Sequence, residues 1–294
     1  MDSAHEAKFG VALVCSDCGE EMSPRRFKSM LCKKCYRAPR FHGTYCEWCE
    51  GKIVTAANNR STARFCSRRC KERSQYSKRN PDFKENYFST PNLENSYWAG
   101  FIAGDGCIND KDEWQSQIRF SLSIVDKAHL EKLHSVIGAG SLRESVTYLK
   151  STGRSYPKFE YTLYSDKICN DLAENFNIHP NKSLTHEPPN LEGDLALAFI
   201  AGYIDADGSY THARYRRPVL TTVGTNHFLS WMNHILKVDS KVICCGNFYS
   251  TTVGGDKAIK IRDSIHNLNL PLLDRKINRW EELNLNLEIL NKGE

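Results

Sequence analysis

Eight of the 12 cysteines of the 294-residue chain stand in four close pairs near its N-terminus: Cys15/Cys18, Cys32/Cys35, Cys46/Cys49 and Cys66/Cys70. A CxxC pair sets two sulfurs on one tight turn, and a second pair roughly 15 residues on closes a four-thiolate shell around zinc. The fourth pair is CxxxC, still within the spacing that zinc sites use. The quartets tile without overlap, so two Zn²⁺ ions are expected. Both would be structural, because four thiolates leave no coordination position for water or substrate. The segments between pairs are too short for an apolar core, and metal binding would supply the missing folding energy. Disulfide stapling is disfavoured by this spacing in a chain read as belonging to a reducing compartment. Cys107, Cys169, Cys244 and Cys245 lack any pairing pattern and are read as packed thiols.

A second chemical signal is a repeated decapeptide. Tyr97-Trp98-Ala99-Gly100-Phe101-Ile102-Ala103-Gly104-Asp105-Gly106 recurs 102 residues later as Phe199-Ile200-Ala201-Gly202-Tyr203-Ile204-Asp205-Ala206-Asp207-Gly208. Gly100 and Gly104 lie one helical turn apart, as do Gly202 and Ala206, and small faces of this kind let two helix backbones approach closely. Gly106 and Gly208 suit a left-handed residue just past a helix end. Asp105 and Asp207 then fall at helix C-termini, where the helix dipole and the opposite acid both disfavour a carboxylate. A divalent cation would relieve both penalties, and two converging carboxylates on such an ion are what metal-assisted phosphodiester hydrolysis needs. A packed helix pair with solvated acids is the plainer reading of the same residues.

The second copy, with Ala201-Gly202-Tyr203 before Ile204-Asp205-Ala206-Asp207-Gly208, closely resembles the LAGLIDADG signature of homing endonucleases, and the first copy matches more loosely. The resemblance covers roughly residues 96 to 285, in the monomeric two-motif form of the family. It implies two four-stranded antiparallel sheets forming a saddle over DNA, the motif helices as their interface, and cleavage of both strands with Mg²⁺, for which Ca²⁺ or Mn²⁺ can substitute. By motif position the metal-binding acids are Asp105 and Asp207, with Gly104 and Ala206 beside them in the metal site. The usually acidic sixth position is Asp205 in the second copy and Ala103 in the first, a departure expected to alter local polarity more than activity. The family's basic residue after the last helix of each repeat, facing active-site solvent, matches Lys182 and Lys276, with Arg275 a rival. Water-positioning polar residues fall near Asp126 and Asn226. The implied partner is a long asymmetric double-stranded DNA site, bound by a monomer. The implied setting is the cytoplasm of a prokaryotic or phage-infected cell, or an organelle. A non-catalytic DNA-binding regulator and an RNA-binding intron-splicing factor are the alternatives on this scaffold. An intein is disfavoured by the absence of flanking splicing blocks.

The elements that must position these residues can be read from periodicity. Expected in the first half are an alternating strand at 117–124, a helix at 126–136, a Gly-Ala-Gly turn at 138–140, strands at 141–148 and 158–164, and a helix at 166–175. The second half offers strands at 218–223, near 242–250 and at 258–262, with helices at 226–236 and near Ser264. With one further strand after each motif helix, the fold class is α+β: two pseudo-symmetric αββαββα repeats forming a DNA-binding saddle, preceded by small zinc-binding modules. The expected domains are a zinc region at 1–73, a polar linker at 74–95, and repeats at 96–190 and 191–294.

Charge supports a polyanionic partner. Residues 1–80 hold 17 Lys+Arg against 8 Asp+Glu, and the remainder 23 against 27. The head is therefore basic, and the −2 of each four-thiolate zinc site would lower its net charge only to about +5. Arg64, Arg68 and Arg69 flank the last cysteine pair on an expected short helix that could track phosphates. Candidates for strand-face DNA contacts are Gln115, Gln117, Arg119, Ser121, Arg143, Lys158, Arg214, Arg216, Arg217, Lys257 and Lys260. Arg and Gln suit bidentate base contacts and Lys suits phosphates. The longest apolar run, about ten residues near 195–204, is half of what a membrane helix needs, and no secretory signal is read at the N-terminus.

Overall fold

The computed structural model describes residues 14–21, 31–56, 63–111, 114–212 and 218–291. Two compact units divide at 79/80. In the N-terminal unit, α1 (Lys33–Arg37) starts at Cys32, whose sulfur accepts the Cys35 N–H at 3.3 Å. Strands β1 (Pro39–Tyr45) and β2 (Lys52–Ala56) form a hairpin around the Cys46–Cys49 turn, and α2 (Arg68–Arg79) carries Cys70 in its first turn. Among the described residues of this unit, few apolar side chains are buried besides Ile53 and the cysteine side chains themselves.

The C-terminal unit repeats one order of elements. The first repeat runs α3 (Leu93–Asp105), β3 (Cys107–Lys111), β4 (Trp114–Ser123), α4 (Lys127–Ile137), β5 (Ser141–Leu149), β6 (Arg154–Tyr164) and α5 (Asp166–Phe176). The second runs α6 (Gly193–Asp207), β7 (Gly208–His212), β8 (Pro218–Gly224), α7 (Asn226–Ile235), β9 (Val242–Cys244), β10 (Tyr249–Gly254) and α8 (Asp256–His266), followed by α9 (Asp274–Asn291). The strands form two four-stranded antiparallel sheets, ordered β3-β4-β6-β5 and β7-β8-β10-β9. The αββαββα expectation therefore holds. On β4 and β6 the alternate residues Ile118, Phe120, Phe159, Tyr161 and Leu163 are buried beneath α4 and α5. The intervening residues face outward, as the two-residue strand period requires.

The motif helices α3 and α6 pack backbone to backbone. A Cβ added to Gly100 would stand 1.9 Å from the Phe199 carbonyl oxygen, and one on Gly202 would stand 1.9 Å from that of Tyr97. On Gly104 it would meet the Ala206 Cβ at 2.2 Å. No rotamer change relieves a clash with backbone, so the small-residue spacing is a steric requirement of the seam.

Three expectations are corrected, and one element was not foreseen. Residues 258–262 are helical within α8: Ala258, Ile261 and Ile265 are buried at helical spacing, while the single strand expected near 242–250 splits into β9 and the start of β10. Gly106 and Gly208 are not left-handed; their φ angles are −79° and −95°. Glycine is needed there because a Cβ would lie 2.7 Å and 2.6 Å from the carbonyl oxygens of Ile102 and Ile204. The expected linker at 74–95 is ordered and divided. Its first residues continue α2, while Phe88 is fully buried against Phe176 and the Asn95 side chain donates to the Tyr87 and Thr90 carbonyls. Its aromatics outweigh its polar composition. Finally, α9 was not anticipated; its Trp280 is buried edge-on against Tyr210 of β7, 4.9 Å between ring centroids.

Candidate metal and nucleic-acid sites

The sulfurs of Cys15, Cys18, Cys32 and Cys35 converge within 4.8 Å of one another, as do those of Cys46, Cys49, Cys66 and Cys70. Individual separations are 3.7 Å for Cys18–Cys32, 3.5 Å for Cys49–Cys66 and 3.4 Å for Cys66–Cys70. A tetrahedron of Zn–S bonds near 2.3 Å has edges of about 3.8 Å, whereas a disulfide brings sulfurs to about 2.05 Å. The donor set and its spacing fit zinc. Local backbone shapes each shell: Cys46 accepts the Glu50 N–H at 3.0 Å, and Gly51 leaves room beside the Cys49 sulfur. Around the second shell Arg64 pairs with Glu47, Arg68 with Glu72 at 2.7 Å, and Arg69 stands exposed on α2.

In the C-terminal unit the paired helices end together at Asp105 and Asp207. The Asp207 carboxylate borders Gly104, since a Cβ there would be 3.2 Å from its Oδ2. Burial and then repulsion from Asp207 push the Asp105 carboxyl up to about 6, against the pull of Lys276 and Lys182. Asp105 nevertheless keeps an exposed edge open to a ligand. Burial also raises Asp207, opposed by both lysines and by the Tyr203 hydroxyl. Phe101 takes the place of Tyr203 in the first copy and offers no hydroxyl, so the two acids are chemically unequal. This is the surround expected for carboxylates whose compensating charge is a bound cation.

Lys182 and Lys276 do not face solvent. Each is buried, and its ammonium donates to the C-terminal carbonyls of its own repeat's motif helix and the glycine that follows. Lys182 reaches Gly106 at 2.6 Å and Gly104 at 3.5 Å; Lys276 reaches Gly208 at 2.6 Å, Ile204 at 2.7 Å and Ala206 at 3.4 Å. Unpaired carbonyls at the negative end of a helix dipole hold a cation better than open water would. Burial lowers both ammonium groups from their ordinary range while the neighbouring acids oppose it. The symmetry of these contacts selects Lys276 over Arg275. Arg275 instead makes a bidentate pair with buried Asp126, both bonds 3.0 Å, joining the second repeat to the first. Asn226, the other expected water-positioning residue, is exposed at the start of α7 and lines a separate pocket with Thr225 and Thr185.

Asp205 is spent on structure. It is buried and accepts the Tyr97 hydroxyl at 2.7 Å and the Leu273 N–H at 2.8 Å, so it ties α3 to the turn that delivers Lys276. Tyr97 also meets His129 at 3.2 Å, and burial holds that imidazole down to about 3, hence neutral. Ala103 occupies the equivalent position in the first copy. Sequence reasoning missed this Asp205–Tyr97–His129 relay; its signal was Tyr97 standing in a motif helix at a position where the second copy has Phe199.

The outward face of the first sheet gathers Gln117, Arg119, Ser121, Arg143 and Lys158, the strand residues expected to meet DNA. Arg119 and Arg143 share Glu160, at 3.0 Å and 2.6 Å, which holds both guanidiniums in place. Gln115 is in β4, but its side chain lies outside the described residues, as do Arg214, Arg216 and Arg217 altogether. Lys257 and Lys260 are on α8, in the helical layer that covers the inward face of the second sheet. They are therefore not strand-face readers.

The paired motif helices, the doubled αββαββα order and the two outward sheet faces agree with what the motif resemblance implies. The fold is LAGLIDADG-like. Among solved structures similar to the chain is the LAGLIDADG meganuclease I-AabMI bound to uncleaved DNA, at 14% identity and TM-score 0.47, over 69% of this chain and 92% of that one. Another is I-SmaMI bound to an uncleaved DNA target with calcium ions, at 14% identity and TM-score 0.45, over 69% and 93%. A third is the N-terminal LAGLIDADG domain of DUF199/WhiA, at 19% identity and TM-score 0.40, over 63% and 88%. No family model and no curated protein matches the chain.

Proposed function

We propose that the protein is a site-specific, double-strand DNA endonuclease that hydrolyses phosphodiesters with a divalent metal at the end of its paired motif helices. The observation that carries this reading is the convergence of Asp105 and Asp207, unpaired by any basic side chain at hydrogen-bond distance among the described contacts, on a helix seam flanked by an Arg- and Gln-bearing sheet face. The acids would hold Mg²⁺, with the carbonyls of Gly104 and Ala206 adjacent; the ion would supply Lewis-acid activation of water and phosphate. Lys182 and Lys276 fix the helix ends, and hence the spacing of the acids, and lend positive potential beneath the site. The Arg275–Asp126 pair braces one side of it against the other repeat.

Gln117, Arg119 and Arg143 are suited to base edges and Lys158 to phosphate. The zinc-bound N-terminal unit adds sequence-independent affinity through the basic α2, extending contact along a long asymmetric duplex bound by one copy of the chain. Its thiolate shells require reduced cysteines, which supports a cytoplasmic or organellar setting as part of this reading.

The test is cleavage of a randomised duplex library by the wild type and by Asp207→Asn, each with Mg²⁺ and with EDTA. Discrete ends from the wild type with Mg²⁺ alone are expected, and they identify the target. Salt-sensitive, sequence-specific binding without cleavage by either protein would transfer the reading to a DNA-binding regulator. Binding confined to RNA would transfer it to a splicing factor.

A further inference from the structure

We infer that the second sheet recognises its half of the DNA through thymine methyl groups; this rests on the DNA reading above and names the chemistry of its second half-site. The two sheets align residue for residue. Cys107 pairs with Arg119 in the first sheet as Ser209 pairs with Thr221 in the second, and Asn109 pairs with Gln117 as Thr211 pairs with Val219. Arg143 pairs with Glu160 as Ile243 pairs with Ser250. The outward Gln117, Arg119 and Arg143 of one sheet are thus Val219, Thr221 and Ile243 in the other.

Among the described residues no outward side chain of the second sheet carries a charge. Ile243 is 60% exposed on β9, and Val219 and Val223 are half-buried on β8, so the face leaves branched aliphatic surface open to a partner. The Thr221 and Thr252 hydroxyls pair with each other at 3.2 Å, and both residues also bring a methyl group to this face. The hydroxyls of Ser209, Thr211, Thr221, Ser250 and Thr252 can meet either kind of base edge, so they discriminate little, and the branched side chains between them have no polar group to offer. The one apolar feature of the major groove is the thymine C5-methyl, which branched and threonine methyl groups contact favourably. Duplex DNA is the occupant because the face is continuous with the acid site: Ser209 follows Asp207 by two residues, on the strand that leaves the motif helix.

The experiment uses the full-length protein and the duplex recovered from the randomised library. All thymines of one half-site at a time are replaced by deoxyuridine, which removes the methyl and preserves pairing. Arg119→Ala identifies the half read by the first sheet, as the one whose base preference relaxes. In the opposite half, deoxyuridine is expected to weaken binding about tenfold or more, or ~1.4 kcal/mol; in the Arg119 half the change stays under about threefold. The Thr221→Ser, Ile243→Ser double variant changes one half-buried and one exposed side chain outside the core and should lose this deoxyuridine sensitivity with little change in melting temperature. Equal sensitivity of the two halves, sensitivity confined to the Arg119 half, or its survival in the double variant overturns the inference. Recovery of no discrete duplex removes the DNA reading and this inference with it, a result distinct from insensitivity of a recovered site.

Discussion

Replacing Gly202 by alanine tests the helix seam on which the acid site depends. The added Cβ would lie 1.9 Å from the Tyr97 carbonyl oxygen and 2.7 Å from the Phe101 nitrogen. To reach even ordinary tight contact the helices must part by about 1.3 Å. A gap of that size forfeits half or more of the dispersion across the seam, where Trp98, Phe101, Phe199 and Ile200 are fully buried. Alanine returns about 1 kcal/mol of helix propensity, and a net loss of about 3 to 4 kcal/mol is expected. In a domain of this size that lowers the melting temperature by roughly 10 °C. Urea unfolding followed by tryptophan fluorescence measures it, with Gly153→Ala as control. Gly153 has φ +65° and no atom within 4 Å of an added Cβ, so only the backbone cost of about 1 kcal/mol applies. Parting the helices also shifts Asp207 against Asp105, and a displacement near 1 Å costs about 100-fold in rate. A Gly202→Ala protein as stable as the control would show that the seam is not held at backbone contact.

The pH dependence has a definite sign. Burial and Asp207 hold the folded Asp105 carboxyl at about 6, above its unfolded value, so ionising it costs stability as pH rises through that window. In EDTA, Asp105→Asn should therefore gain about 1 kcal/mol at pH 8, after discounting for the exposed edge of the group, and almost nothing at pH 4; a gain independent of pH defeats the argument. Cys32→Ala and Cys66→Ala should each release about one zinc ion by elemental analysis, since each opens one shell, and weaken DNA binding more than they slow cleavage of bound DNA. Loss of chemistry at saturating protein contradicts that division of labour. Lys182→Met strips the Gly106 and Gly104 carbonyls of their donor and should cost about 1 to 3 kcal/mol and slow single-turnover cleavage with little change in affinity; an unchanged rate removes Lys182 from any role in the site.

Much of this protein was legible in its sequence because the relevant constraints are local or repeated. Cysteine spacing alone paired the eight sulfurs correctly into two shells, since a tetrahedral site needs two tight turns and little else. The repeated decapeptide disclosed both acids, the close helix seam and the twofold order of elements, because a backbone contact tolerates only small residues at fixed spacing. Arg119 and Arg143, two of the strand candidates, do lie on the outward face.

What failed locally failed for identifiable reasons. Residues 258–262 alternate as a strand would, yet Ala258, Ile261 and Ile265 also fit a helix, and only packing on the second sheet chose between the periods. The segment 80–92 looked like a linker until Phe88 found Phe176, a partner 88 residues away in the chain. The motif resemblance matched Lys276 but left Arg275 as a rival, and spacing alone could not separate the two. The choice depends on which cation lies under the end of α6 and which reaches Asp126 across the repeats.

The sequence by itself determined the grouping of eight cysteines into two four-sulfur shells and the doubling of the fold, which are properties of residue type and spacing. Only the tertiary structure decided that the lysines are buried helix-end clamps, that Asp205 is spent on Tyr97 and Leu273, and that one sheet face is charged where the described outward residues of its counterpart carry no charge. These depend on distances between residues remote in the chain, and spacing does not encode them.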